Sequence, residues 1–161
     1  MATTPTQAPL MDNLCWLLSR ASHALTTELT RAMEDLGLSP RAHAILAAAV
    51  TGDHTQTELA RMVGLDKTTM VVTMDELEAA RLAERRPAPA DRRARVIAVT
   101  AAGRKKLKKA ELIGNRIRED VLSALPEEDR ATFVDALATL ACGRLSEPVQ
   151  CSAPPRRRAP R

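Results

Sequence analysis

The stretch from Thr55 to Leu82, TQTELARMVGLDKTTMVVTMDELEAARL, leaves little freedom in how it folds. Thr55 with Glu58 three residues on has capping-box spacing, and Leu59, Ala60 and Val63 make a short helix before Gly64 breaks it. Asp66 then caps a second helix, whose Met70, Met74 and Leu77 recur at i, i+4 and i+7 and define its buried face. On this reading Thr68, Thr69, Val72 and Thr73 lie off that face. β-Branched residues lose side-chain freedom in a helix, so a run of them away from the core points to contact with a partner. Two short helices joined by a glycine-containing turn, the second capped and presenting small hydroxyl and methyl groups, form the helix-turn-helix pattern.

From Leu82 the chain reads LAERRPAPADRRARVIAVT. Leu82 to Arg86 and Ala94 to Val99 pair as two strands around a loop from Pro87 to Arg93, the second resting on β-branched content more than on strict alternation. The prolines fall in the tip, where they remove no ladder bonds. A hairpin of this size directly after a helix-turn-helix is a wing.

Charge is concentrated in the same place. The whole chain carries a net +4, yet from Arg81 to Lys109 eleven basic residues stand against only Glu84 and Asp91, a segment of +9 beside a remainder of −5. Such a block either faces phosphates or forms a solvated surface, and its position on a wing favours phosphates.

The helices on either side complete the pattern. Apolar residues recur at helical spacing from Leu10 to Leu36 and predict one long first helix ended by Gly37. Ser39 as N-cap and Pro40 at the first helical position open an alanine-rich second helix that ends near Gly52. After Thr100, a stripe of Leu107, Ile113, Ile117, Val121 and Leu125 marks a long amphipathic helix, and Pro126 with Glu127, Glu128 and Asp129 opens a last one carrying Phe133, Val134, Leu137, Leu140 and Ala141. The expected organisation is a flexible N-terminus over 1–9, N-terminal helices over 10–52, a winged helix-turn-helix lobe over 53–99, C-terminal helices over 100–145, and a disordered proline- and arginine-rich tail over 146–161.

The tract TQTELARMVGLDKTTMVVTMDELEAARL followed by RRPAPADRRARVIAVTAAGR resembles the MarR family of winged-helix regulators, and the likeness runs through the helical order of the chain. The resemblance implies a mainly α fold with a small β-hairpin wing, in which the long terminal helices form the body of an obligate homodimer. It implies a sequence-specific regulator of transcription, a repressor that grips a palindromic double-stranded operator and is released by a small anionic or phenolic effector. Apolar stripes on the long helices exceed what one lobe of this size covers, which independently favours isologous pairing. By position, Thr68, Thr69, Val72 and Thr73 enter the major groove, while Thr57 and Lys67 touch phosphates. ADRRAR matches the family's wing signature, so Asp91 orients its neighbours, Arg92 reaches the minor groove, and Arg93, with Arg95 beside it, braces the wing or contacts backbone. With no tyrosine and only Trp16 and Phe133 as aromatics, stacking on single strands has little to work with.

In such dimers the effector lies in a crevice lined by the first, second and fifth helices, where Arg20, His23, Arg41 and His43 are the polar candidates; equally, the two histidines are ordinary helix residues. The rival input is a thiol switch. DNLCWLL is similar to the opening of the peroxide-sensing branch, which makes Cys15 the reactive thiol and Cys142 its resolving partner across the dimer. That branch supports its thiol with tyrosines, which this chain lacks, so both cysteines are equally read as structural. Three cysteines without metal-ligand spacing speak against a disulfide scaffold and a metal site, and no cofactor is expected. No phosphate loop, HExxH or nucleophile elbow is present, so the chain is not read as an enzyme. A helical protein-interaction module remains the alternative of another class, but it leaves the basic wing without a purpose. The N-terminus does not resemble a secretory signal, and no apolar run is long enough to span a membrane, so a cytoplasmic, nucleoid-associated setting is expected.

Overall fold

The computed structural model describes residues 10–88 and 95–146. Contacts divide the chain into two units, Met1–Val121 and Leu122–Arg161. The element order is α1 (Leu14–Ala32), a 3-10 turn (Glu34–Leu36), α2 (Pro40–Ala49), α3 (Gln56–Met62), α4 (Lys67–Ala79), β1 (Ala83–Pro87), β2 (Arg95–Val99), α5 (Ala101–Ser123) and α6 (Glu127–Cys142).

Most boundaries follow from local chemistry. Ser39 accepts a hydrogen bond from the Ala42 N–H with Pro40 at the first helical position, Thr55 and Glu58 form a complete capping box, and Asp66 caps α4 by accepting from the Thr69 N–H. The first helix is shorter than its apolar spacing suggests. Asn13 accepts from the Trp16 N–H and fixes the start at Leu14, and beyond Met33 the chain tightens into the 3-10 turn closed by Gly37 at φ 55°. Leu10 and Leu36 therefore continue the spacing without belonging to the helix. Leu125, likewise, falls in the turn between α5 and α6.

α4 ends in a Schellman arrangement. The Leu82 N–H donates to the Leu77 carbonyl and the Arg81 N–H to the Glu78 carbonyl, while Leu77 and Leu82 both sink into the core. This geometry holds Arg81 in the left-handed region at φ 57°, where a side chain crowds its own backbone. Arg81→Gly is accordingly expected to raise the stability of the first unit by about 1 kcal/mol, read from chemical denaturation midpoints at constant m-value. An unchanged or lower midpoint would show that the Arg81 side chain makes compensating contacts.

β1 and β2 pair antiparallel, Ala83 opposite Val99 through Pro87 opposite Arg95. Pro87 thus closes the ladder as its last residue, whereas the sequence alone places it in the loop. On the other side of β2 the Ile97 N–H donates to the His54 carbonyl at 2.9 Å, and Thr55 bridges Val96. β2 is therefore paired on both edges, and Val96 and Ile97, which point to opposite faces, are both buried, so the strict alternation fails. The core of this unit gathers Met33, Ile45, Leu46, Leu59, Met70, Met74, Leu77 and Ile97, all essentially without solvent contact. It ties α2, α3, α4 and the wing into one body.

α5 begins close against the end of α4. The Thr100 N–H donates to the Leu82 carbonyl, the Thr100 hydroxyl lies 2.8 Å and 3.1 Å from the carbonyls of Arg81 and Leu82, and the Gly103 N–H donates to that hydroxyl oxygen. Within the second unit, α6 buries no residue, and the Arg130 guanidinium closes the preceding turn by donating to the Leu125 carbonyl. Among the described residues no helix is long and apolar enough to cross a membrane.

Candidate nucleic-acid interface

The cap at Asp66 fixes how α4 begins. Its carboxylate accepts from both the backbone N–H and the hydroxyl of Thr69, at 2.9 and 2.6 Å, and these bonds hold the carboxyl below its ordinary pKa. Glu58 is lowered in the same way by the Thr55 N–H and hydroxyl. Both helices of the helix-turn-helix are thus anchored by ionised caps at their N-terminal ends, where the helix dipole favours negative charge.

Lys67 and Thr68 are exposed in the first turn of α4, and Val72 keeps 52% of its surface. Thr57 and Lys67 face a common notch of about 350 Å³ between α3 and α4, lined also by Gln56, Ala60 and Met70. Thr73 departs from expectation. It is 5% exposed and belongs with Met70, Met74 and Leu77 on the inner face, and its hydroxyl donates to the Thr69 carbonyl at 2.8 Å. That bond to the preceding turn satisfies the hydroxyl and lets a threonine occupy a core position.

A second, larger cavity of about 530 Å³ opens beside α4. Thr26 and Thr30 of α1, Ser39, Pro40 and Arg41 at the start of α2, and Thr68, Thr69, Val72, Thr73 and Glu76 of α4 line it. One wall is hydroxyl-rich with a guanidinium at its edge; the other is the helix that the sequence singles out for recognition.

The family model described as MarR family matches residues 36–94, the span from the 3-10 turn through the wing. Among solved structures, the transcriptional regulator PA3341 is 30% identical over 81% of this chain and 97% of its own, with a TM-score of 0.70. The chain belongs to the MarR family. CouR from Rhodococcus jostii RHA1 bound to p-coumaroyl-CoA is 28% identical over 82% of this chain and 94% of that one, at a TM-score of 0.74. CouR, a transcriptional repressor, bound to a 23-mer DNA duplex gives 26% identity, coverages of 86% and 99%, and a TM-score of 0.76. The MarR-family fold explains the observed order of elements, with the helix-turn-helix in α3 and α4 and a two-stranded wing after it.

The remaining sequence candidates separate on this frame. Arg95 is exposed at the start of β2, whereas Asp91, Arg92 and Arg93 lie outside the described residues. Of the effector candidates, Arg41 alone joins the larger cavity. Arg20 is exposed on α1 with its guanidinium 5.6 Å from the centre of the Trp16 ring, and His23 is exposed nearby on the same helix. His43 turns inward. Its Nε2 is buried without a hydrogen-bond partner among the described residues, and burial lowers its pKa against the opposing pull of Glu111. Cys15 and Cys142 are exposed free thiols at the start of α1 and the end of α6. Among the described residues no cluster of histidine, cysteine and carboxylate is arranged to hold a metal ion.

The basic block proves divided. Arg85 is held by Glu78 and by Asp75, which neutralise its charge within the protein, whereas Arg86 donates from Nε to Glu84 at 2.5 Å in a pair that stays exposed to solvent. Reading the segment as uniformly phosphate-facing overlooks them. A signal is present in the sequence: Asp75, Glu76 and Glu78 crowd the C-terminal half of α4, the end where the dipole disfavours carboxylates, so a cation from elsewhere is favoured beside them.

Proposed function

We propose that the protein is a homodimeric repressor that reads a palindromic operator with the exposed start of α4 and with its wing. A small anionic or phenolic effector in the cavity between α1, α2 and α4 releases it. The observation that carries this reading is the shared wall. Thr68, Thr69 and Val72 are both the residues α4 offers to a major groove and lining of the 530 Å³ cavity, so a ligand against Arg41 and the hydroxyls of Thr26 and Thr30 competes with duplex for the same helix. Dimerisation is supported by the long helices. α1 runs for 19 residues and α6 for 16 without burying one, and α6 leaves Phe133 49% and Leu137 40% exposed. That CouR is solved with duplex DNA in one case and with an aromatic thioester in another supports both halves of the reading.

A gel-shift titration against the intergenic DNA flanking the protein's own gene tests it, run in a series of salt concentrations and repeated with p-coumarate and with p-coumaroyl-CoA as probes. Lys67→Ala is expected to weaken binding to every duplex alike and to lower the salt slope by about one unit per protomer. Arg41→Ala is expected to bind DNA as the wild type does while losing release by the carboxylate. Lys67→Ala binding as tightly as wild type would remove α4 from the interface, and release surviving in Arg41→Ala would move the effector to another site.

A further inference from the structure

Among the described residues, the side-chain bonds that tie the wing to the helix-turn-helix converge on Arg85. The residue stands on β1 opposite Ile97. Its backbone N–H donates to Glu78 Oε1 at 2.8 Å, Nε donates to Gln56 Oε1 at 3.1 Å, Nη2 donates to Asp75 Oδ1 at 2.9 Å, and Nη1 is paired with the other oxygen of Glu78. Gln56 is the first residue of α3, and Asp75 and Glu78 lie one turn apart on α4. One guanidinium thus joins three elements, with only 26% of its side chain exposed.

This arrangement has three consequences. Two carboxylates hold the guanidinium, so its charge is spent inside the protein and is not offered to a phosphate. The planar fork gives each partner its own N–H in a fixed direction, which a lysine ammonium does not reproduce. Both strand and helix ends are gripped, so β1 is fixed in height and angle against α4. A protein that engages a duplex through a helix and a wing together needs that offset set beforehand, since ordering it on binding costs affinity.

We propose that Arg85 is a positioning residue for DNA recognition: it sets the wing against α4 so that both meet the duplex in register, without itself touching DNA. The proposal rests on the reading that α4 and the wing form the DNA-binding surface. It predicts a loss of selectivity with no change in the number of phosphates the protein neutralises, a combination that neither a phosphate contact nor a plain stability defect produces.

The test uses the full-length protein and a duplex selected by the wild type from a random-sequence library, with a scrambled duplex of equal length as comparison. For Arg85→Ala, the ratio of affinities for the selected and scrambled duplexes is expected to fall about tenfold with the salt slope unchanged, since the repulsion from the two carboxylates left unpaired weakens both duplexes alike and cancels in the ratio. Arg85→Lys, which restores the charge but not the fork, is expected to recover only part of that loss. Should Arg85→Ala melt below the assay temperature, Glu78→Gln keeps the shape of the partner and is expected to lose about fivefold on the selected duplex alone. Undiminished selectivity in these variants overturns the proposal, as does a reduced salt slope, which would make Arg85 a phosphate contact. Failure of the wild type to select any duplex would overturn the underlying reading instead.

Discussion

Gly103→Ala is expected to destabilise the first unit by about 3 kcal/mol, the upper part of the range for overpacking against groups that cannot retreat. A Cβ at this position would lie 2.0 Å from the Leu82 carbonyl oxygen and 2.8 Å from Val99 Cγ1. The carbonyl is the harder obstacle. It accepts from the Thr100 N–H while the Thr100 hydroxyl lies beside it, and Leu82 itself is pinned by the Schellman bond to Leu77. Relief requires α5 to back away from the end of α4, which stretches the bonds from Thr100 to the Arg81 and Leu82 carbonyls. Guanidinium chloride denaturation of the variant beside the wild type measures the effect. A loss under about 1 kcal/mol would mean that the junction of α4, β2 and α5 yields more than its hydrogen bonds suggest. Gly114 serves as a control on the same helix, because a Cβ there meets nothing within 4 Å.

Leu137→Arg is expected to dissociate the proposed dimer and to lower affinity for a palindromic duplex by at least about 100-fold. The reasoning is one of effective concentration. Two lobes joined in a dimer hold the second half-site contact at high local concentration, and a monomer must make each contact independently. Leu137 is 40% exposed in the single chain, where the stem of an arginine keeps apolar contact and carries its charge to solvent, and circular dichroism of the variant checks that the protomer stays folded. Light scattering gives the mass, and a gel shift on the same preparations gives the affinity. Wild-type protein that is monomeric at micromolar concentration would contradict the dimer; a monomeric variant that binds as tightly as wild type would contradict the need for it.

Features written in local chemistry are legible in the sequence. The caps at Ser39, Thr55 and Asp66 act over three residues, and each begins its helix at the expected place. The wing follows from strand composition and turn residues, and the family from the tract that spans both. The features that escape the sequence depend on distance through space. Asn13 overrides an apolar spacing that extends back to Leu10, because a hydrogen bond to one N–H decides the start and periodicity does not. Residue type places Thr73 off the buried face, yet its position three residues after Met70 and four before Leu77 puts it on that face once its hydroxyl finds the Thr69 carbonyl. Arg85 looks like its basic neighbours until the fold brings it to Glu78 and Asp75, and Gly103 shows no special role until α5 is laid against Leu82. The proposed contacts of Thr57, Lys67, Thr68, Thr69, Val72 and Arg95 with DNA rest on position and exposure, and gel-shift titration of their variants decides them.

The Asp66 cap also sets the vocabulary with which α4 can speak to bases. A threonine hydroxyl carries a single proton, and that of Thr69 is already donated to the Asp66 carboxylate at 2.6 Å. Toward a major groove this oxygen has only lone pairs to offer. The base edges that match it are the exocyclic amines, N6 of adenine and N4 of cytosine, while the O6 of guanine and the O4 of thymine present acceptors to an acceptor. A cap that starts a helix thereby biases which half of the base alphabet can sit beneath its third residue.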